Sequence, residues 1–202
     1  MTSSRSNLPS DVDFEATLGC SDLPPLVLRA HQAIEAALNA TIAQTLPAPH
    51  AVEVERLSTA LKIDLAIGLS TVQSDDALAF RKINALRNAL AHDPQAAFVS
   101  DDAKDLFNVL SDRQRRLVGR GYSDFPNHIE ILRQVLRVLF VDMVATLERL
   151  REARLRDEVL HDMIQDRMRR SRPIDERFVD GIDREIRERI HTKKLRRSPD
   201  ER

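Results

Sequence analysis

The residues best suited to chemistry lie together in Arg87-Asn88-Ala89-Leu90-Ala91-His92-Asp93, at the end of an otherwise apolar helical stretch. An arginine is a permanent cation whose planar donor fork matches two phosphate oxygens. A histidine exchanges protons near neutral pH, and an asparagine four residues before it shares its helix face and can orient the imidazole or a substrate. Together the three suit phosphodiester cleavage by an RNA 2′-hydroxyl. That reaction needs a base for the hydroxyl, an acid for the leaving oxygen and positive charge on the phosphorane, but no metal. The spacing also sets a limit. Arg87 and His92 are five residues apart, about 140° around a helix axis, so one helix does not aim both at one atom. Two copies packed through this helix would bring two arginines and two histidines into one cleft, which makes a homodimer part of the expectation. The same letters also fit a helix stop without chemistry, because Asp93-Pro94 disfavours helix continuation.

The elements that must position this motif read as helices. Apolar residues recur at three- and four-residue steps through most of the 202 residues, and strand-type alternation is scarce, so the fold class is all-α. Residues 1–22 carry Ser, Asp and Pro without periodicity and read as a mobile leader. A first helix is predicted from Ser21-Asp22-Leu23-Pro24-Pro25 to about Leu46, with Leu26, Ala30, Ala33, Ile34, Ala37, Leu38 and Ile42 inward. A second spans Val52 to Leu69, with Leu57, Leu61, Leu65 and Ile67 on its apolar side. Ser74-Asp75-Asp76 reads as the capped start of a third, reaching His92 and burying Leu78, Phe80, Ile83, Leu86 and Leu90; Ser100-Asp101-Asp102 starts a fourth, through Leu110. After a Gly- and Pro-bearing connection from Gly119 to Pro126, a long pattern runs from Asn127 to Arg170, interrupted near Arg154 and Asp157. A last amphipathic helix covers 175–197.

Charge divides the chain in the same way. Residues 149–202 carry 17 Lys+Arg against 13 Asp+Glu, whereas the preceding residues carry 14 against 19. A near-neutral total of −1 excludes a globally basic nucleic-acid coat but not a local patch. The tail is either a solvated, salt-bridged surface or a contact for RNA, DNA or an acidic partner, through Arg167, Arg169, Arg170 and Arg172 and then Lys193, Lys194, Arg196 and Arg197. The single cysteine, Cys20, forms no internal disulfide, and no run is apolar enough for a membrane span or signal peptide, so a cytoplasmic protein without membrane contact is expected. No grouping has zinc-site spacing, and no metal or cofactor is called for. His31, beside Arg29 and Glu35, reads as a partly exposed surface histidine; Asp64, Asp75 and Asp76 as exposed or capping carboxylates; and Phe125 of GYSDFPNH as a staple at the entry of the long helix, with Tyr122 nearby.

The stretch Leu69 to Phe98, above all INALRNALAHD at Ile83–Asp93, resembles the signature of the HEPN superfamily: Arg, a polar residue, three further residues and His. The order of segments, including LKIDLAIGL and the Arg-Asn-bearing third helix, also resembles the mannitol operon repressor family, over roughly residues 25–150. The resemblance implies an antiparallel HEPN-like bundle over 23–150; the charged helical extension over 151–202 has no counterpart in it. It implies one of two functions. The first is a metal-independent endoribonuclease, a toxin or phage-defence effector facing an antitoxin or regulatory partner, in which Arg87 stabilises the phosphate, His92 moves protons or holds the 2′-hydroxyl, and Asn88 positions them at a dimer interface. The second is a non-catalytic transcriptional regulator of the mannitol-repressor kind, acting through protein–protein contacts.

Overall fold

The computed structural model describes residues 10–93, 95, 97–170 and 176–197, and their side chains except at 11, 176–180 and 193–197. Two compact units divide at residue 147. Among the described residues the first unit contains only helices and turns. Ser10 opens α1 (Asp11–Leu18): its Oγ accepts from the Asp13 N–H at 3.2 Å, and its own N–H donates to the Asp13 carboxylate at 3.2 Å. Phe14 and Leu18 are buried, and Phe14 stacks on Phe140 with ring centroids 3.9 Å apart. The leader expected over 1–22 is therefore helical and docked from Asp11 onward. Two apolar residues four apart are too short a stripe to register as periodicity, and burial supplies what local pattern lacks.

The long α2 (Leu23–Thr45) takes Pro24 and Pro25 into its first turn, where a missing N–H costs nothing, and buries the seven apolar residues its period places inward. α3 (Thr59–Gly68) is shorter than expected. Residues 49–56 form two 3-10 turns instead, and the Ser58 hydroxyl caps the helix by accepting from the Leu61 N–H at 3.3 Å. The inward face is also rotated from the expected one: Lys62, Ile63 and Ala66 are buried, while Leu61 is 50% exposed. α4 (Ser74–His92) ends where Pro94 predicts, yet its cap position is Gln73, and no side chain caps it.

Two short helices follow. In α5 (Ser100–Asn108) the Asp102 carboxylate accepts from the Val99 N–H at 3.0 Å, so the aspartate rather than Ser100 closes the start. In α6 (Asp112–Val118), which periodicity missed, Ser111 and Gln114 exchange hydrogen bonds at 3.1 and 3.2 Å, and Gly119 ends the helix at φ 73, left-handed backbone that glycine adopts without strain. α7 (His128–Arg169) runs unbroken past Arg154 and Asp157. Its first-unit part buries Ile131, Leu132, Val135, Leu136, Leu139, Phe140 and Met143.

In the second unit, α8 (Glu176–Arg197) packs on the C-terminal part of α7 through Val159, Met163 and Ile186, flanked by Leu160, Ile182 and Ile190, and Arg156 pairs with Asp183. The expected charged extension thus has a small apolar core of its own. Among the described residues no helix is long and apolar enough to cross a membrane.

One ion network ties α4, α6 and α7 together. Asp76, expected to be an exposed capping carboxylate, is buried, as is Asp142. Arg113 lies between them: Nη2 donates to Asp76 Oδ2 at 2.7 Å, Nη1 donates to Asp142 Oδ1 at 2.5 Å, and Nη2 also reaches Asp142 Oδ2. The Ser111 hydroxyl donates to Asp76 Oδ1 at 2.5 Å. Two desolvated carboxylates this close are tolerable only with the shared guanidinium.

Arg113→Met should therefore lower stability by about 3 kcal/mol in urea unfolding at neutral pH. A loss under about 0.5 kcal/mol, the scale of an ordinary surface change, would contradict the network. Phe14→Ala should cost about 3 kcal/mol by the same measurement, and no change would mean that α1 does not dock.

Candidate functional site

On α4 the buried apolar residues Phe80, Ile83 and Leu90 define the inner face. Arg87 is four residues after Ile83 and three before Leu90, so it occupies that face at a step where the pattern calls for an apolar side chain, and it is half-buried. Its Nη1 donates to Asn88 Oδ1 at 2.9 Å. Among the described residues no carboxylate lies within ion-pair distance of Arg87. By contrast Arg113, Arg137, Arg81 and Lys62 each meet one.

Asn88 and His92 are exposed and share a side of the helix at four-residue spacing. The helix stops at His92: the Asp93 N–H bonds to Ala89 O at 2.8 Å, and the Asp93 carboxylate accepts from the Gln95 N–H at 3.0 Å. The structure thus brings Arg87 and Asn88 together. Among the described residues no hydrogen bond joins His92 to either; for Arg87 this follows from the 140° offset.

What lies behind Arg87 was not foreseen. His31 on α2 is only 3% exposed, not a surface histidine. Its Nδ1 is buried without a hydrogen-bond partner and lies 3.8 Å from Glu35 Oε2. Burial holds the imidazole below its ordinary range; the Glu35 carboxylate pulls it back up, Arg87 pushes it further down, Asn84 raises it by hydrogen bonding and Lys62 lowers it. The net direction is down, so His31 is neutral at pH 7.

Lys62 from α3 is 1% exposed; its ammonium donates to Glu35 Oε1 at 2.5 Å and to Glu55 O at 3.3 Å. Burial pushes the Glu35 carboxyl up, but the hydrogen bond and charge of Lys62 outweigh it and hold it below its ordinary value. The signal for this cluster was present in the sequence. His31 falls one residue after Ala30 and three before Ile34, inside the apolar stripe, with Glu35 four residues on. Polar residues inside a stripe are buried and therefore need partners.

Arg167 and Arg169 lie in the last turn of α7 and Arg170 follows it, with Arg169 and Arg170 exposed. Arg172 lies outside the described residues; Lys193, Lys194, Arg196 and Arg197 belong to the end of α8, with their side chains outside the described residues. Asp64 pairs with Arg81 at 2.5 Å. Phe125 packs on the first-unit core and lies edge-on to Phe107, with the Arg120 guanidinium 4.7 Å above its ring, while the Tyr122 hydroxyl donates to Ser100 O at 3.1 Å. Cys20 is a free thiol. A groove of about 470 Å³, lined in part by Asp75, Asp76, Leu78 and Arg113, opens at the N-terminal end of α4. It lies roughly 20 Å along the helix from the motif. Leu78, expected inward, is 50% exposed at this groove.

No family model, curated protein or solved structure matches the chain.

Glu35→Gln would leave the Lys62 ammonium buried opposite a neutral amide, and we expect a loss of about 3 kcal/mol at neutral pH. The sign with pH follows from the depressed carboxyl. Its contribution is complete above the ordinary value of 4.5 and is lost as acid titrates the folded form. Urea midpoints measured from about pH 3 to 7 should show a flatter acid limb in the variant, whereas superimposable limbs would remove Glu35 from the account.

Proposed function

We propose that the chain is a homodimeric, HEPN-type endoribonuclease that needs neither metal nor cofactor, with Arg87, Asn88 and His92 at the cleft between two copies. The observation that carries this reading is Arg87 itself: a half-buried cation on the apolar face of α4, bonded to a neutral amide and, among the described residues, without a carboxylate at ion-pair distance. A guanidinium held in that way has donors left for an external anion. The likeness of Arg87-Asn88-x-x-x-His92 to the HEPN motif selects a phosphodiester as that anion.

The chemistry follows from the three residue types. His92 of one copy takes the proton of the RNA 2′-hydroxyl as its oxygen attacks phosphorus. Arg87 stabilises the phosphorane, and the 5′-oxygen leaves with a proton from the second copy's imidazole, giving a 2′,3′-cyclic phosphate and a 5′-hydroxyl. Asn88, bonded to Arg87 and on the same side as His92, orients the pair. Exposure of Asn88 and His92 supports a second copy completing the cleft, since one helix separates Arg87 from His92. The basic ends of α7 and α8 supply sequence-independent attraction for RNA, which weakens with salt. A toxin or phage-defence role with an inhibitory partner would follow from such an activity.

Purified protein incubated with mixed cellular RNA in EDTA should cut it, leaving cyclic-phosphate ends. Arg87→Ala and His92→Ala should each lower the rate by about 100-fold or more at unchanged helicity and oligomer size. Intact, dimeric protein that cuts no RNA would overturn the reading in favour of a repressor-like regulator.

A further inference from the structure

A buried imidazole lies behind the motif, and its Nδ1 has no hydrogen-bond partner. His31 is faced by Glu35 on its own helix, by Lys62 from α3, and by Asn84 and Arg87 from α4. With the imidazole neutral, the cluster holds one anion, Glu35, and two cations, Lys62 and Arg87, so it carries one net positive charge. A proton on Nδ1 gains an acceptor, Glu35 Oε2, which is 3.8 Å away and needs less than an ångström of approach to form a hydrogen bond. What opposes it is burial first, then the charge of Arg87, and then that of Lys62. An anion seated on Arg87 cancels that second opposition.

We propose that His31 is a buried positioning residue whose protonation is coupled to anion binding at Arg87: a phosphodiester on the guanidinium draws a proton from solvent onto His31 Nδ1, and that proton tightens the hold on the phosphodiester. The inference rests on the reading of Arg87 as a phosphate-binding group and adds its regulation by pH. The balance is simple, because one proton enters from water with the anion and leaves with it, and no bond other than N–H is made. His31 touches no substrate and acts through Arg87. Linkage makes the two effects equal, so the factor by which the anion favours the proton is the factor by which the proton favours the anion. Product release would then be assisted by deprotonation, and the site would bind most tightly in mild acid.

The test uses the full chain, isotopically labelled at histidine, and a single-stranded DNA oligonucleotide, which offers phosphodiesters without the 2′-hydroxyl nucleophile. Ring-nitrogen NMR should show the His31 midpoint moving upward when the oligonucleotide is added. In parallel, oligonucleotide affinity in a His92→Gln background, which removes the exposed imidazole, should rise about fivefold or more as the pH falls from neutral through the His31 midpoint. That rise should vanish when His31→Gln is added to the same background. The NMR arm needs no substitution at His31, so a misfolded variant does not shield the proposal. An oligonucleotide that binds equally to Arg87→Ala would overturn the Arg87 reading and the coupling with it. Binding that depends on Arg87 but leaves the His31 midpoint unmoved would overturn the coupling alone.

Discussion

A lysine that gives up water must have a counter-charge, and the burial of Lys62 against Glu35 is the constraint around which this site is arranged. It fixes which face of α3 turns inward, at the expense of Leu61, and it keeps Glu35 ionised between α2 and α3. With one carboxylate oxygen committed to the ammonium, only the other is left toward His31, 3.8 Å away, and the imidazole stays neutral. Arg87 therefore faces a polar but uncharged neighbour. Had the nearest group been an available carboxylate, the guanidinium would be satisfied internally, as Arg113 is between Asp76 and Asp142.

These two charge networks hold α4 at both ends. Near its start, Asp76 is clamped by Arg113 and Ser111; near its end, the helix packs over the Lys62, Glu35 and His31 cluster. A helix fixed in this way presents its last turn in one rotation, which is what a phosphate-binding arginine needs, because misplacement by an ångström is costly to a reaction. The motif changes meaning accordingly. Read along one helix it is an arginine and a histidine that point apart; set in its packing it is an arginine backed by a second, buried histidine, with His92 exposed.

Much of the fold was legible because long amphipathic helices announce themselves: α2, the end of α4, α7 and α8 follow from periodicity and from prolines. Short elements were not. α1 rests on Phe14 and Leu18, and α6 on the Ser111–Gln114 capping box, each too brief for a pattern. Charged residues misled more than apolar ones. Asp76 and His31 look like surface groups until Arg113, 37 positions from Asp76, and Lys62, 27 positions from the Glu35 beside His31, come together with them. At the candidate site the identities of Arg87, Asn88 and His92 could be read directly, whereas the network behind them depends on three helices meeting, which no local window contains.

The most direct measurement is arginine side-chain NMR of the full chain, labelled at arginine, while 2′-O-methyl RNA, which cannot be cut by its own sugar, is added. The account predicts that the Nε–H signal assigned to Arg87, by its loss in Arg87→Lys, shifts and saturates at the lowest RNA concentrations. Saturating shifts confined to arginines of the α7 and α8 ends, with Arg87 unmoved, would contradict it.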